Sequence, residues 1–544
     1  MTVAQALLFA ALAAPLAMLL ACASRRARDH MPSLLALAPL PALAVALVAA
    51  DGTTLVLPEP PFRMILALDA PGATLLGIAA LLWIAAGAYA STYLRGDPNA
   101  ASFTEWWLLT LTGSLGVFIA ADLVSFYLTY SVVSLAAYGL IVHDGTPGSR
   151  RAGVIYVALA VLGEAFLLMA FVFMTAAPDS SLLIRDAVAA LPSSPWCNTA
   201  LTLLILGFGL KIGLVPLHVW MPLAYTAAPI PAAAVLSGAA VKAGVIGFIR
   251  FLPLGVAMPE WGAALATVGL FSAFYGVVIG ITQENPRTVL AYSSVSQMGL
   301  LAAALGMGLA AGEPGVALGA SFSAAHHMLA KGGLFLAIGV AAIAGPRLWP
   351  VLIPAAVLAL GLGGLPLTGG ALAKLAVKEQ FGKGIAGTLA TLSAAGSTML
   401  MLHFLWRLVQ DTPKPSHTTP AAGYTWPWLI TAFATVAVPW VLYPIATGRS
   451  LLDALVPGAL WAGLWPVLIG ALLAAGIWRW APQLPRVQPG DLVTLGERAA
   501  SAAVPCSEAI ERADDYLRQW PAASLALLVL VIILGAAMLT WGRA

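Results

Sequence analysis

Charged side chains are scarce in this chain. Of its 544 residues only 9% are Asp, Glu, Lys or Arg, whereas 61% are hydrophobic, and the mean hydropathy is +0.93. In soluble globular domains about a quarter of the residues are charged, so the composition excludes an ordinary soluble protein and indicates a chain that crosses a lipid bilayer many times. The net charge is only +3, and without a basic patch we expect no nucleic-acid partner.

Cysteine and the common cofactor motifs are also nearly absent. The three cysteines, Cys22, Cys197 and Cys506, are too few and too scattered for a metal cluster or a disulfide framework. No dinucleotide-binding glycine motif, Walker loop or haem-attachment motif occurs in a suitable context, and no Ser or Cys stands beside a base. We therefore expect no cofactor, no metal and no covalent chemistry in this chain. Any redox cofactors would lie in other subunits.

What the chain has in abundance is apolar runs of about 20 residues, the length that a helix needs to span a bilayer. The sequence predicts an all-α polytopic membrane protein with about 14–16 transmembrane helices. The predicted spans lie near residues 3–23, 31–50, 70–93, 104–121, 123–142, 150–176, 198–222, 230–254, 258–282, 287–309, 316–343, 349–381, 385–410, 425–445, 458–481 and 521–541.

Two connecting segments have a different pattern. Residues 51–68 alternate between apolar and polar side chains, which predicts a short β-hairpin. Residues 482–520 mix many charged side chains with apolar ones at helical spacing. This pattern predicts an amphipathic helix on the membrane surface or against a partner subunit, with a solvated linker as the alternative.

The basic residues predict how the bundle is oriented. With the N-terminus outside, most loop arginines and lysines fall on the inner side, among them Arg25, Arg26, Arg150 and Arg151. Because cytoplasmic loops are enriched in Lys and Arg, we expect a multi-pass protein of a bacterial-type inner membrane with its N-terminus outside.

The stretch 207–250 carries ionisable residues inside apolar spans. Lys211, His218 and Lys242 lie there, and a lysine at membrane depth costs a few kcal/mol. Four prolines interrupt the same stretch: Pro216, Pro222, Pro229 and Pro231. A broken helix is tolerated in a membrane only where protein or a watery cavity satisfies the freed backbone groups. Two lysines beside a broken helix therefore indicate an ion path, with lysines that extend to the membrane interface as the alternative.

Further ionisable residues recur at helix centres. Glu164 lies mid-span, and His327 and Lys331 are four residues apart and so share a helix face. Lys374 follows the segment GLGGLPL (361–367), which resembles GLKIGLVPL (209–217), and Lys378 and Glu379 come one turn later. A row of Glu, Lys and His through a bilayer is what a proton relay needs, because each group can hold or release a proton when burial shifts its affinity.

The order of these motifs resembles the antiporter-like subunits of respiratory complex I, which are related to Mrp-type sodium/proton antiporters and to subunits of membrane-bound hydrogenases. The resemblance is carried by GLKIGLVPLHVWMPLAYTAAPIPAAAVLSGAAVKAGV, TVLAYSSVSQMGLL, HHMLAKGGLFLAIG and GLPLTGGALAK. It implies two inverted five-helix repeats with broken helices, and a hydrated axis of charged residues. By position, the resemblance implies relay roles for Lys211, Lys242, His327, Lys331 and Lys374. From the residues themselves we add Glu164 to the relay, with Ser131, His218, Lys378 and Glu379 in secondary positions.

The resemblance also implies a domain organisation and partners. We expect N-terminal helices in 1–100, a first repeat in 101–255, a second in 256–411, further helices in 412–481, the amphipathic segment 482–520 and a last helix in 521–544. The expected partners are the lipid bilayer, other membrane subunits of one complex and, in some such complexes, a peripheral soluble subunit. The expected cargo is protons, alone or in exchange for Na⁺ or K⁺.

One position departs from the family pattern. The resemblance implies a glutamate on the fifth helix, but Ser131 stands there, in FYLTYSVVSLAAY. A serine cannot favour a charged lysine by its own charge. Glu164 on the next helix is the candidate substitute. Two alternatives stay open: a proton-driven subunit of an inorganic-carbon accumulating complex, and an antiporter-like scaffold subunit that has lost pumping.

Overall fold

A computed structural model of the chain forms two compact units, Met1–Pro489 and Gly490–Ala544. The structure describes residues 1–49, 52–57, 63–176, 180–344, 348–412, 421–480, 486–490 and 492–493, which lie almost entirely in the first unit. The predicted helix at 521–541 and most of the predicted amphipathic segment 482–520 lie outside the described residues.

Helices make up nearly all of the described chain. The first twelve are α1 (Val3–Ala21), α2 (Arg25–Leu34), α3 (Leu40–Val48), α4 (Ala70–Tyr93), α5 (Ala100–Ile119), α6 (Leu123–Ile141), α7 (Pro147–Met174), α8 (Ile184–Ala190), α9 (Cys197–Ile212), α10 (Trp220–Ala227), α11 (Ile230–Val235) and α12 (Lys242–Phe251). They are followed by α13 (Pro259–Gly280), α14 (Pro286–Ala311), α15 (Val316–Ala344), α16 (Trp349–Gly363), α17 (Gly369–Lys378), α18 (Ile385–Asp411), α19 (Ala422–Thr447), α20 (Leu451–Leu455) and α21 (Pro457–Trp480).

The predicted fold class is confirmed. Within the described residues, 11 helical segments are long and apolar enough to cross a membrane. Other predicted spans appear as helices that fall short of that criterion: α5, where Thr, Ser and Glu interrupt the apolar run, and the shorter helices α9 and α16. The span predicted near 31–50 is wrong as one continuous helix. It is divided into α2 and α3, because Pro39 and Pro41 lack the backbone N–H that a continuous helix requires.

The centre of the bundle is made by a few helices that are almost entirely enclosed by protein. The span Ile230–Phe251 is 100% buried, α15 is 83% buried and α14 is 78% buried, whereas α1 and α21 are each only 22% buried. Ionisable side chains on these central helices are therefore surrounded by protein on all sides. On the outer helices the same side chains would meet lipid.

Two helices are broken, as the sequence predicts. The helix α9 ends at Gly213, whose φ of 74° is readily adopted only by glycine, and α10 begins seven residues later. The helix α16 ends in the same way at Gly364, with a φ of 95°, before α17. In each case a side chain from the second half donates to a carbonyl of the first. The Trp220 indole donates to Leu210 at 2.9 Å, and the Lys374 ammonium donates to Gly363 at 2.5 Å.

The two predicted repeats contain the same order of elements. The region 101–255 holds α5, α6, α7, the broken pair α9–α10 and the span α11–α12, with the short α8 in a connection. The region 256–411 holds α13, α14, α15, the broken pair α16–α17 and α18. The break falls in the fourth span of each region. The domain boundaries and the inverted relation between the repeats stay predictions.

The predicted hairpin is present and is attached to the bundle. Strands β1 (Thr54–Leu57) and β2 (Met64–Ala67) pair antiparallel. Asp122 begins α6, and its Oδ1 accepts from the backbone N–H groups of Val124 and Ser125. The Oδ2 of Asp122 accepts from the N–H of Ile65 in β2 at 2.8 Å. One carboxylate therefore caps a helix and holds the hairpin over its end.

A buried arginine ties the end of α12 to α4 and α5. The Arg250 guanidinium is paired with both carboxylate oxygens of Asp69, at 2.9 and 3.2 Å. It also donates to the carbonyls of Val117, Phe118 and Ala120 at the C-terminal end of α5. Carbonyls at a helix end have no partner within the helix, so Arg250 satisfies three of them while its own charge is balanced by Asp69.

This arrangement predicts that Arg250 is important for stability. We expect Arg250→Gln to lower the apparent free energy of unfolding by about 2–4 kcal/mol, because it removes the charged partner of Asp69 and leaves several carbonyls at a helix end unsatisfied. Thermal unfolding of the purified protein in detergent measures the effect. Arg185→Gln is the matched control, since that side chain is 88% exposed in its pair with Asp186. Equal unfolding temperatures for the two variants would contradict the prediction.

Candidate functional site

Lys211 lies at the end of α9, directly before the first break, and is only 5% exposed. Its ammonium donates to the Ser134 hydroxyl at 2.7 Å and lies 5.4 Å from the centre of the Tyr130 ring. Both partners come from α6. A hydroxyl oxygen and an aromatic face both attract an ammonium without carrying a charge, so Lys211 is held by neutral groups at this end of the bundle.

Glu164 supplies the negative charge near Lys211. It lies mid-way along α7, is 7% exposed and interacts electrostatically with Lys211. The Ser131 hydroxyl is close to the same carboxylate, although neither Ser131 Oγ nor Glu164 Oε1 meets hydrogen-bond geometry with any described residue. The structure therefore brings Ser131, Glu164 and Lys211 together.

Tyrosines line the space between Lys211 and the next lysine. A small cavity is bordered by Lys211, Tyr156, Trp220 and Tyr225 and extends to α12 through Val241. The Tyr225 hydroxyl is fully buried, and Ser237 lies next to it. Hydroxyl groups can both donate and accept hydrogen bonds. These tyrosines were not singled out from the sequence, since a buried aromatic residue on an apolar helix has no distinguishing pattern.

Lys242 and His327 form a direct contact between two titratable side chains. The Lys242 ammonium lies 2.7 Å from His327 Nδ1, and it also donates to the Ser237 carbonyl at 3.1 Å. That carbonyl belongs to a π-helical turn, Leu236–Ala240, which joins α11 to α12. Such turns shift the helical hydrogen-bond pattern and frequently occur at functional sites. The turn supplies a backbone oxygen in the completely buried centre of the bundle.

Lys331 extends this central group by one turn of α15. It is fully buried, and its ammonium donates to the Leu290 carbonyl of α14 at 2.8 Å. Electrostatic interactions connect Lys331 to both Lys242 and His327. Within the described part of the chain no carboxylate acts on Lys242 or Lys331. Three neighbouring groups that all become positive on protonation cannot all be charged at once in this environment.

His326 connects this centre to Lys374. It is 5% exposed and interacts electrostatically with Lys374. Both residues line a polar cavity together with Gln297 and His327. Two glycines at the start of α17 pack against the His326 ring, since added Cβ atoms at Gly369 and Gly370 would lie 2.9 and 3.1 Å from it.

Sequence reasoning missed His326, although a signal was present. Two adjacent histidines in an apolar span, as in AAHHMLAK, are unusual. Consecutive residues of an α-helix point about 100° apart, so His327 faces Lys242 and His326 faces the second break. The pair could have been recognised as two separate contacts, one on each face of α15.

The secondary residues other than Ser131, namely His218, Lys378 and Glu379, lie outside this row. His218 is buried between the rings of Tyr275 and Tyr292, at centroid distances of 5.1 and 5.9 Å. Lys378 and Glu379 lie at the end of α17, away from the bundle centre. Glu379 forms an ion pair with Arg449 in the connection that follows α19. Within the described residues no group of three or more His, Cys, Asp or Glu side chains could hold a metal ion.

The order of spans, breaks and buried ionisable residues corresponds to a known protein family. A family model described as the transmembrane region of NADH:quinone oxidoreductase and Mrp antiporters matches residues 120–401, which is more than half of the chain. The chain belongs to this family. The matched region begins at the end of α5 and includes both broken helices and every residue of the row from Glu164 to Lys374.

Individual relatives agree with this assignment. The chain is 30% identical to hydrogenase-4 component B of Escherichia coli over 52% of this chain and 44% of that protein. It is 32% identical to NADH-quinone oxidoreductase subunit N of Desulforudis audaxviator over 52% of this chain and 56% of that one. The matches therefore span about half the length of these curated relatives.

A solved structure shares the fold along nearly the whole chain. The Mrp complex from Dietzia sp. DQ12-45-1b matches 99% of this chain and 63% of the compared chain, with a TM-score of 0.81 and 21% sequence identity. At 21% sequence identity, this structural similarity shows that the two chains have a common fold.

Proposed function

We propose that the chain conducts protons through a membrane, as one subunit of a larger energy-coupling complex. The observation that carries this proposal is the 2.7 Å contact between the Lys242 ammonium and His327 Nδ1, completely buried at the centre of the bundle. A lysine and a histidine at this distance share one proton between them, because two positive charges this close cannot both be desolvated. Such a pair passes a proton at little cost.

The proposed path begins at Lys211. The carboxylate of Glu164 interacts electrostatically with Lys211, and the Ser134 hydroxyl orients the Lys211 ammonium. From Lys211 the proton passes through the tyrosine-lined cavity to the region of Ser237 and Lys242. It then reaches His327. At His327 the proton is repelled electrostatically by Lys331. His326 then carries the proton to Lys374 beside the second break. The step from Lys242 to His327 is a direct contact at 2.7 Å, and the other steps require intervening water or movement of the side chains.

Family membership supports the complex. The matched relatives are named as components or subunits, and the structural neighbour comes from a complex. We therefore propose other membrane subunits as partners, an inner-membrane location with the N-terminus outside, and two inverted repeats that each provide half of the path. The alternative to conduction of protons alone is transport of protons in exchange for Na⁺ or K⁺.

The first test concerns Lys211. We expect Lys211→Ala to lower proton uptake at least about tenfold, because general acid–base groups contribute factors of about 10²–10⁴. Uptake is measured with a pH-sensitive dye in vesicles that contain the complete complex. The expected amount of assembled complex is unchanged, and Lys383→Ala, an exposed lysine outside the row, is the control. Normal uptake in Lys211→Ala would contradict the relay and favour a scaffold subunit.

The second test concerns the route past His327. His326→Gln keeps a hydrogen-bonding side chain but removes the titratable ring. We expect it to reduce proton uptake about as strongly as Lys374→Ala, and to alter the pH dependence of the remaining uptake, since one titrating group has been removed. His326→Lys should restore part of the activity. If Lys374→Ala is impaired but His326→Gln is normal at every pH, the route to Lys374 does not include His326.

The third test concerns the displaced carboxylate. Glu164 on α7 and Ser131 on α6 are neighbours, so a carboxylate at either position would act on Lys211. We expect Glu164→Gln to reduce proton uptake about tenfold or more. Adding Ser131→Glu should restore a substantial fraction, whereas adding Ser131→Gln, which has the same size but no charge, should not. A silent Glu164→Gln would mean that no carboxylate is needed here.

A further inference from the structure

A cavity beside the second break combines largely apolar walls with the ammonium group of Lys374. It lies between α17, α18, α19 and α21 and has a volume of about 230 Å³. Its walls include Gly364, Phe381, Ala390, Trp440 and Gly463, and the lining also contains the half-buried Lys374 and the exposed Lys378. The cavity is distinct from the polar one that contains His326 and His327, although Lys374 borders both.

The ammonium of Lys374 is incompletely satisfied. It donates to the Gly363 carbonyl, and within the described part of the chain no carboxylate pairs with it. An ammonium has three donors, so it can bind an anion without losing the carbonyl. The neighbouring wall is apolar, which favours an alkyl chain over water. Charge and surface are therefore arranged for a molecule with a negative head and an apolar tail.

We infer that this cavity binds a long-chain monocarboxylate, with its carboxylate on Lys374 and its alkyl chain between α17, α18 and α21. The small volume favours a single chain, since pockets for drug-sized ligands are typically about 300–1,000 Å³ and a two-chain phospholipid needs more room. Of the two lysines in the lining, Lys374 is half-buried and Lys378 is exposed, so the ammonium of Lys374 is the one placed to bind a carboxylate inside the cavity. The bilayer around α21, which is only 22% buried, is a direct source of such molecules.

The occupant would also affect the final relay group. A carboxylate next to Lys374 favours the charged lysine, so a bound fatty acid would hold a proton there. This consequence rests on the proposed function, whereas binding does not. The experiment therefore measures binding alone.

The probe is palmitate that carries a photoreactive diazirine on its chain. The complete complex is placed in phosphatidylcholine nanodiscs, irradiated with the probe, and the labelled peptides of this chain are identified by mass spectrometry. We expect labels in the peptides of α17, α18 and α21, and competition by unlabelled palmitate but not by hexadecanol. Replacing part of the phosphatidylcholine by phosphatidylglycerol should leave the labelling unchanged.

Three variants test the two parts of the site. We expect Lys374→Gln to reduce this labelling about tenfold, because a hydrogen bond to a charged group is lost, and Ala390→Trp to reduce it by filling the cavity. Lys374→Arg should retain it, which shows that the cavity stays folded when the charge is kept. Lys383→Gln, outside the cavity lining, is the control.

Several results would overturn the inference. Unchanged labelling in Lys374→Gln, or equal competition by hexadecanol, would show that the carboxylate is not recognised. Loss of labelling on adding phosphatidylglycerol would show that the cavity takes a phospholipid headgroup instead. Proton uptake is not part of this assay, so its failure and the failure of the proposed relay are separate results.

Discussion

The free-energy cost of placing lysine ammonium groups inside an apolar bundle constrains how the buried part of the structure is arranged. Lys211, Lys242 and Lys331 are each at most 5% exposed, and they have few neutralising charges. A buried charge must be paired or hydrogen-bonded, or it gives up its proton. Here the partners are mostly neutral oxygens: the Ser134 hydroxyl and the carbonyls of Ser237 and Leu290. These partners satisfy a lysine with or without its proton, which is the condition for reversible protonation.

The irregular parts of the helices supply several of these oxygens. A regular helix uses its interior carbonyls for its own hydrogen bonds, so it has little to offer a buried cation. The π-helical turn before α12 provides the Ser237 carbonyl to Lys242, and the second break provides the Gly363 carbonyl to Lys374. The breaks and the lysines are therefore parts of one arrangement. In contrast, Arg250 binds three carbonyls and a carboxylate at once, and forms a fixed connection.

The carboxylate near Lys211 comes from a different helix than the family pattern implies. Ser131 on α6 stands where the family pattern implies a glutamate, and Glu164 on α7 lies next to it. Because α6 and α7 are neighbouring helices joined by a short connection, a carboxylate on either one approaches Lys211 from a similar direction. Counting residues from that connection, at about 1.5 Å of rise per residue, places Ser131 and Glu164 at a similar depth and predicts that Glu164 faces Lys211. The electrostatic interaction between Glu164 and Lys211 agrees with this prediction.

The sequence by itself determined the membrane class, the two broken helices and the ionisable residues Glu164, Lys211, Lys242, His327, Lys331 and Lys374. It could do so because apolar length, proline and glycine, and charges within apolar spans each act locally along the chain. Only the tertiary structure decided which groups meet. Contacts such as Lys242 with His327, or Lys211 with Ser134, join residues 85 and 77 positions apart. The closeness of His326 to Lys374 likewise depends on α17 packing against one particular face of α15, and no local pattern specifies which helices become neighbours.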